Sequence, residues 1–178
     1  MAMKNPYHAR RASTLIGAYL KPLAKATAQQ VREMVPRYNQ VDQVALVRNI
    51  ELILDATRGV LEQGDERRLM SVLTTIMDLR QAAGFTIRDF VVASLAGFPV
   101  ARRFFIARSP DAVEGLRLFE AFECVMLPIT GRIADTFSRL NEDSTTIPDG
   151  VSLSTMLNLA GLAESTESFE IAAVEYEG

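Results

Sequence analysis

The sequence predicts an all-α fold, a bundle of about six helices in residues 1–140 followed by an acidic extension in residues 141–178. Through most of the first 140 residues apolar side chains recur at i, i+3, i+4 and i+7, the spacing of one helix face, and strand patterns are almost absent. Apolar residues make up 48% of the chain and charged residues 23%, so the composition excludes wholesale disorder. A chain of 178 residues is near the usual size of one domain and can bury a core without disulfides or metals.

The opening segment is basic and amphipathic. Residues 1–32 contain six Lys and Arg side chains and no acid. Their apolar face is made by Leu15, Ile16, Tyr19, Leu20 and Leu23. We expect a first helix that packs this face on the bundle. A membrane-surface helix or an organellar presequence has a similar pattern and stays open as an alternative.

The next three helices have recognisable ends. A short second helix is predicted over about residues 27–37, where Pro36 ends or kinks it. The third is predicted over about residues 42–63 and ends at Gly64, which can adopt the left-handed conformation. The fourth, over about residues 65–83, is also followed by a glycine. Because the turn between them is so short, the third and fourth helices are expected to pack antiparallel.

The fifth helix is predicted over about residues 86–107. Thr86 is its N-cap, and Asp89 three residues later completes a variant of the capping box. Pro99 lies in its interior, where it removes a backbone donor, so we expect a kink at this proline.

The sixth helix is predicted to be long, over about residues 109–140. Ser109 is the expected N-cap, Pro110 presets the backbone of the first turn, and Asp111 faces the positive end of the helix dipole. Pro128 is expected to bend this helix midway.

The charge is divided unevenly along the chain. Residues 141–178 carry eight acids and no Lys or Arg, which leaves residues 1–140 with a net charge of +5 and gives the total of −3. The acidic tail can fold back on the basic body, recruit a basic partner, or serve only to solubilise the chain. Residues 151–163 are expected to form a short amphipathic helix. The net charge and the pI of 5.3 argue against a nucleic-acid-binding domain.

Few residues are available for chemistry. With one cysteine, Cys124, and one histidine, His8, the chain can form neither an internal disulfide nor a structural zinc site, and a reducing cytoplasm is the natural setting. His8 has no evident partner for a catalytic triad, and the glycines form no phosphate-binding loop. We therefore predict no catalytic residue, no metal and no cofactor. Arg, Asp or Glu side chains interrupt the apolar runs at helical spacing, and no run approaches the roughly 18 uninterrupted apolar residues of a membrane span, which predicts a soluble chain.

A basic cluster near the end of the fifth helix is the candidate partner-binding site. It consists of Arg102, Arg103 and Arg108. These side chains can bind an anion or an acidic peptide, or they can stabilise the negative end of the helix dipole.

The second candidate is an aromatic-lined pocket for a small apolar ligand. Its predicted lining residues are Phe90, Phe98, Phe105, Phe122 and Cys124. The alternative, which the sequence favours, is that the phenylalanines belong to an ordinary core and that Cys124 occupies a small buried or half-buried apolar position.

The middle of the chain resembles the N-terminal sensory domain of RsbR-type stressosome proteins and related bacterial regulators. The resemblance extends over about 100 residues, and it is carried by Leu61, Gln63-Gly64-Asp65, Leu69, Leu73, Arg80 and the run Gly84-Phe85-Thr86-Ile87-Arg88-Asp89-Phe90. It implies a haem-free, globin-like helical domain that dimerises and signals through protein contacts in the bacterial cytoplasm. In that family a phosphorylatable STAS domain is attached, whereas here the acidic tail follows residue 140.

Three functional hypotheses follow. The leading one is a non-enzymatic regulatory or scaffolding domain, a homodimer that binds another protein through the acidic tail or the basic cluster. The second is a globin-like sensor of a small ligand. The third is an enzyme that uses carboxylates alone, such as Glu120 and Glu123.

Overall fold

A computed structural model describes residues 6–140, with side chains described to residue 135. The predicted all-α fold is confirmed, and within the described range there is no strand. A short 3₁₀ helix, Pro36–Gln40, accompanies seven α-helices: α1 (Pro6–Ala18), α2 (Leu20–Met34), α3 (Gln43–Gln63), α4 (Arg67–Ala82), α5 (Ile87–Leu95), α6 (Gly97–Arg108) and α7 (Ala112–Leu140). The acidic tail and its predicted helix lie outside the described residues.

One hydrophobic core joins the helices. The α3 helix packs against α1, α2 and α4, and α7 packs against α6, α1 and α5. The largest fully buried apolar side chains come from five helices: Ile16, Leu61, Leu69, Met77, Phe105, Leu118, Ile129 and Ile133. The repeating apolar face seen in the sequence is thus the buried face of each helix.

The first helical break lies at Tyr19, so the predicted start of the second helix near residue 27 is wrong. Tyr19 has non-helical dihedrals (φ −121°, ψ 27°), and α2 begins at the next residue. Pro22 explains the position of the break, because its ring clashes with the carbonyl of residue 18 in a continuous helix. At the third position of α2 the missing N–H of proline costs nothing, since the first turn has no intrahelical acceptor for it.

The same rule applies to Pro99. The predicted fifth helix with a kink is in fact two helices, α5 and α6, that meet at Ala96. Pro99 is the third residue of α6, and its ring excludes the helical carbonyl of Leu95 four residues earlier. Both breaks therefore precede their proline by three residues. By contrast, α7 continues through Pro128.

The predicted helix ends are largely confirmed. Gly64 ends α3 in the left-handed conformation (φ 72°), and Gly84 after α4 has a φ of 77°. Thr86 and Asp89 form both hydrogen bonds of the capping box at the start of α5. The N-cap of α7 is Asp111 and not Ser109, since the Asp111 Oδ1 accepts from the backbone N–H of Glu114 at 2.8 Å. Ser109 is extended, as a residue before proline usually is, and α7 begins at Ala112, later than predicted.

One segment of the described chain has the length and apolar composition of a membrane span. This segment, Ile87–Arg108, is divided between α5 and α6, and half of its most apolar stretch is buried inside the bundle. Burial of this kind is typical of core helices, so the observation is compatible with a soluble protein.

Candidate protein-binding groove

A surface groove of about 550 Å³ lies between α2 and α6. Its apolar lining is made by Pro22, Leu23, Ala26, Val100, Phe104 and Ala107. Leu23 and Val100 are buried at its base. Alanines at positions 26 and 107 leave space that a larger side chain would fill, so the groove can accept the apolar face of an added helix.

Helical spacing explains why these residues share the groove. On α2, Pro22, Ala26 and Gln29 recur at intervals of three or four residues, and on α6 Val100, Phe104 and Ala107 do the same. Each helix therefore presents one face to the groove.

Among the charged side chains of the groove's polar rim, arginines outnumber acids. Arg108 extends over the ring of Tyr19, with its guanidinium carbon 4.5 Å from the ring centroid. Arg103 donates a long hydrogen bond of 3.4 Å from Nη2 to Oε1 of Gln30. The rim also includes one acid, Glu33.

Neither rim arginine has a carboxylate within ion-pair distance among the residues whose side chains are described, 6–135. Seven other arginines have such a partner: Arg11, Arg37, Arg48, Arg58, Arg67, Arg68 and Arg132. The groove therefore presents two positive charges that the folded body does not neutralise by a direct ion pair.

The predicted basic cluster is divided between two faces. Arg103 and Arg108 line the groove. Arg102 is half-buried, and its positive charge interacts with the carboxylate of Glu123 on α7. Burial and repulsion from Glu120 raise the pKa of Glu123, and the attraction of Arg102 opposes this rise. Consecutive residues of an α-helix are rotated by roughly 100° about the helix axis, so the side chains of Arg102 and Arg103 point to different surfaces.

The predicted pocket phenylalanines are buried in the core. The ring centroid of Phe122 lies 5.9 Å from that of Phe98 and 6.1 Å from that of Phe105, the spacing of packed aromatic pairs. Phe90 is buried as well. Cys124 is exposed, so its predicted burial is wrong, and it does not join the phenylalanines. On α7 the buried face contains Phe122 and Val125, and position 124 turns away from it.

His8 lies in a smaller cavity of about 390 Å³ at the start of α7. The cavity brings His8 near Asp111 and Glu114, a proximity that the sequence did not predict. Glu114 is paired with Arg11 at 3.0 Å, and the ring of His8 packs on Tyr7 with centroids 5.3 Å apart. Within the described part of the chain, no three His, Cys, Asp or Glu side chains form a group that could hold a metal ion.

Sequence reasoning missed the α2 side of the groove. Tyr19, Ala26 and Gln30 were not predicted to share a surface with the arginines, because the start of α2 was misplaced. Pro22 was the available signal, since it requires a break before it and makes residues 20–34 one helix.

Comparison with known proteins gives no match: no family model, no curated protein and no solved structure is similar to this chain.

Proposed function

We propose that this chain is a non-enzymatic regulatory or scaffolding domain of the cytoplasm that acts through protein contacts, and that its partner surface is the α2–α6 groove. The partner is a protein segment with an apolar helical face flanked by Asp or Glu. The observation that carries the proposal is the combination of an apolar floor with Arg103 and Arg108, which lack an ion-pair partner in the described body. Charged rims of this type select partners of opposite charge and orient them during association.

The regulatory role and the globin-like arrangement come from the resemblance to RsbR-type sensory domains, and the helical fold is in keeping with that resemblance.

The proposed function includes self-association of the domain as a homodimer. Tyr7 and Val113 expose 58% and 60% of their surface and line one cavity at the contact between α1 and α7. Exposed apolar side chains that lie together are a common feature of protein interfaces.

The ligand-sensor hypothesis receives less support from the geometry. Phe98 and Phe105 pack on Phe122, so these rings fill the space in which an enclosed apolar ligand would have to lie. We therefore favour the protein-binding role.

Site-specific photo-crosslinking in cells tests the proposal. A photoreactive side chain replaces Gln29, an exposed residue of the groove, in the full chain, and a control protein carries it at Ser71, an exposed residue of α4. We expect adducts from position 29 whose crosslinked peptide has an acid-flanked apolar pattern. These adducts should be lost when Arg103 and Arg108 are both changed to Glu.

Two results would refute this role for the groove. One is that position 29 forms no more adducts than position 71. The other is that its adducts are unaffected by the double charge reversal.

A further inference from the structure

The α2–α6 groove has a polarity along its length. Arg108 lies at one end of the groove, over Tyr19 at the start of α2, and Glu33 lies at the other end, at the C-terminus of α2. Arg103 lies between these ends, where it bonds Gln30. The exposed Lys25 lies on the adjoining edge of α2, one residue from the groove residue Ala26. A complementary segment would therefore be apolar along its length and acidic at one end.

The chain itself contains such a segment. In residues 151–163 apolar side chains recur at i, i+3, i+4 and i+7, as Leu153, Met156, Leu157 and Ala160. No charged residue lies within residues 151–163. Acids follow directly, at Glu164, Glu167 and Glu170. The charge pattern of the segment is thus neutral first and acidic afterwards.

The length of the connection fits the groove of the same chain. The α6 and α7 helices run antiparallel, because Gly115 meets Ile106 and Phe122 meets Phe98. The Val100 end of the groove therefore lies beside the part of α7 that is about 20 residues before its C-terminal end. Measured along the axis of α7, this is a distance of roughly 30 Å, which the connecting residues must cover. Residues 141–150 can span at most about 33–36 Å when extended.

The direction of entry also fits. A segment that enters at the Val100 end places residues 153–163 along the groove, and as a helix these 11 residues extend about 16 Å. The eight-residue rise from Val100 to Arg108 is about 12 Å. The acids that begin at Glu164 would then lie at the Arg108 end of the groove.

We propose that residues 151–167 bind in the α2–α6 groove of their own chain and occupy the surface that the external partner uses. This inference rests on the proposed function, since it identifies what regulates access to that same site. The partner must displace the tail, so the apparent affinity for the partner is reduced by the fraction of chains in which the groove is filled.

Hydrogen exchange of the full chain, read by mass spectrometry, tests this inference. The groove variant carries Arg103→Glu and Arg108→Glu. The matched control carries Arg48→Glu and Arg67→Glu, an equal change of charge at side chains that are 68% and 91% exposed. We expect amides of residues 151–163 to exchange at least about ten-fold more slowly in the wild type and the control than in the groove variant.

A tail variant, Leu153→Asp with Leu157→Asp, leaves the bundle untouched and should abolish the same protection. Protection should also be weaker at high salt and independent of protein concentration. Exchange at the rate of an unstructured peptide in the wild type would overturn the inference. So would equal protection in the groove variant and the control, or protection that appears only at high protein concentration.

Crosslinks from position 29 separate this inference from the proposed function. Adducts to residues 151–167 of the same chain support the tail-binding inference. Adducts to another protein, without any to the tail and without protection of the tail, overturn the inference and leave the proposed function standing. If neither adduct forms, both are refuted.

Discussion

The guanidinium of Arg108, at the end of α6, lies 4.5 Å from the ring centroid of Tyr19, in the junction between α1 and α2. The contact joins two parts of the chain whose proximity was not predicted from the sequence. It holds one end of the groove together and fixes where the positive charge of Arg108 is presented.

A double-mutant cycle of Arg108→Ala and Tyr19→Leu measures this contact. We expect a coupling of about 0.5–1 kcal/mol in the free energy of unfolding by urea, because the pair is partly exposed. Each single variant should remain folded, which makes these residues suitable for binding experiments. Additive effects of the two substitutions would mean that the contact contributes no stability.

At Gly115 the backbones of α6 and α7 approach closely. A Cβ at this position would lie 2.6 Å from the Cα of Ile106 and 3.0 Å from the carbonyl oxygen of Phe105. Because these are backbone atoms, Gly115→Ala should push the helices apart and lower the free energy of unfolding by about 1–3 kcal/mol or more.

Gly59→Ala is the matched control for this substitution. Gly59 lies inside α3 with no atom within 4 Å of its added Cβ, so alanine should stabilise the protein by roughly 0.5–1 kcal/mol. Chemical denaturation of both variants tests the pair. If the free energy of unfolding of Gly115→Ala equals that of Gly59→Ala, the backbones of α6 and α7 do not approach closely at residue 115.

Glu123 makes stability depend on pH. Its pKa is raised above the ordinary 4.5 by burial and by the neighbouring Glu120, so the folded state holds this proton more tightly than the unfolded state. The stabilising contribution is complete below pH 4.5 and is lost as the pH rises through the raised pKa. Glu123→Gln should therefore be more stable than the wild type at pH 7, with the advantage decreasing toward pH 4.

Thermal unfolding at several pH values measures this effect. Glu120→Gln is a second variant, which should reduce the pH dependence by removing the repulsion. An equal loss of stability in Glu123→Gln at every pH would contradict the assignment.

Tyr38 should ionise later than an ordinary tyrosine. Burial raises its pKa from 10 to about 12, although the nearby Arg80 favours the ionised form. Its contribution to stability is therefore present below pH 10 and is lost as the pH rises through about 12. Tyrosinate absorbance should show one of the four tyrosines of the chain titrating late. In Tyr38→Phe this late step should be absent, and a wild-type titration near pH 10 for all four would count against the buried position.

The features predicted best from sequence are those set by a few neighbouring residues. Gly64 and the Thr86–Asp89 capping box are examples, because the conformation and the hydrogen bonds involve residues at most four positions apart. The breaks at Tyr19 and Ala96 were misplaced because a proline acts on the turn that precedes it.

The groove could not be predicted because it depends on how α2 and α6 are placed relative to each other. The sequence predicted Arg102, Arg103 and Arg108 as one basic cluster, and only the position of α2 shows that Arg103 and Arg108 line the groove while Arg102 lies near Glu123. The exposure of Cys124, by contrast, follows from helical periodicity once Phe122 and Val125 are assigned to the core.

In the proposed function, this domain works through contacts between proteins, including a second copy of itself, and not through a bound small molecule. Light scattering on the purified full chain, with an absorbance spectrum recorded across the same peak, is the decisive test. We predict a molar mass about twice the 19.7 kDa of one chain and no absorbance in the visible range. A mass of one chain, or a visible chromophore that stays with the peak, would contradict this account.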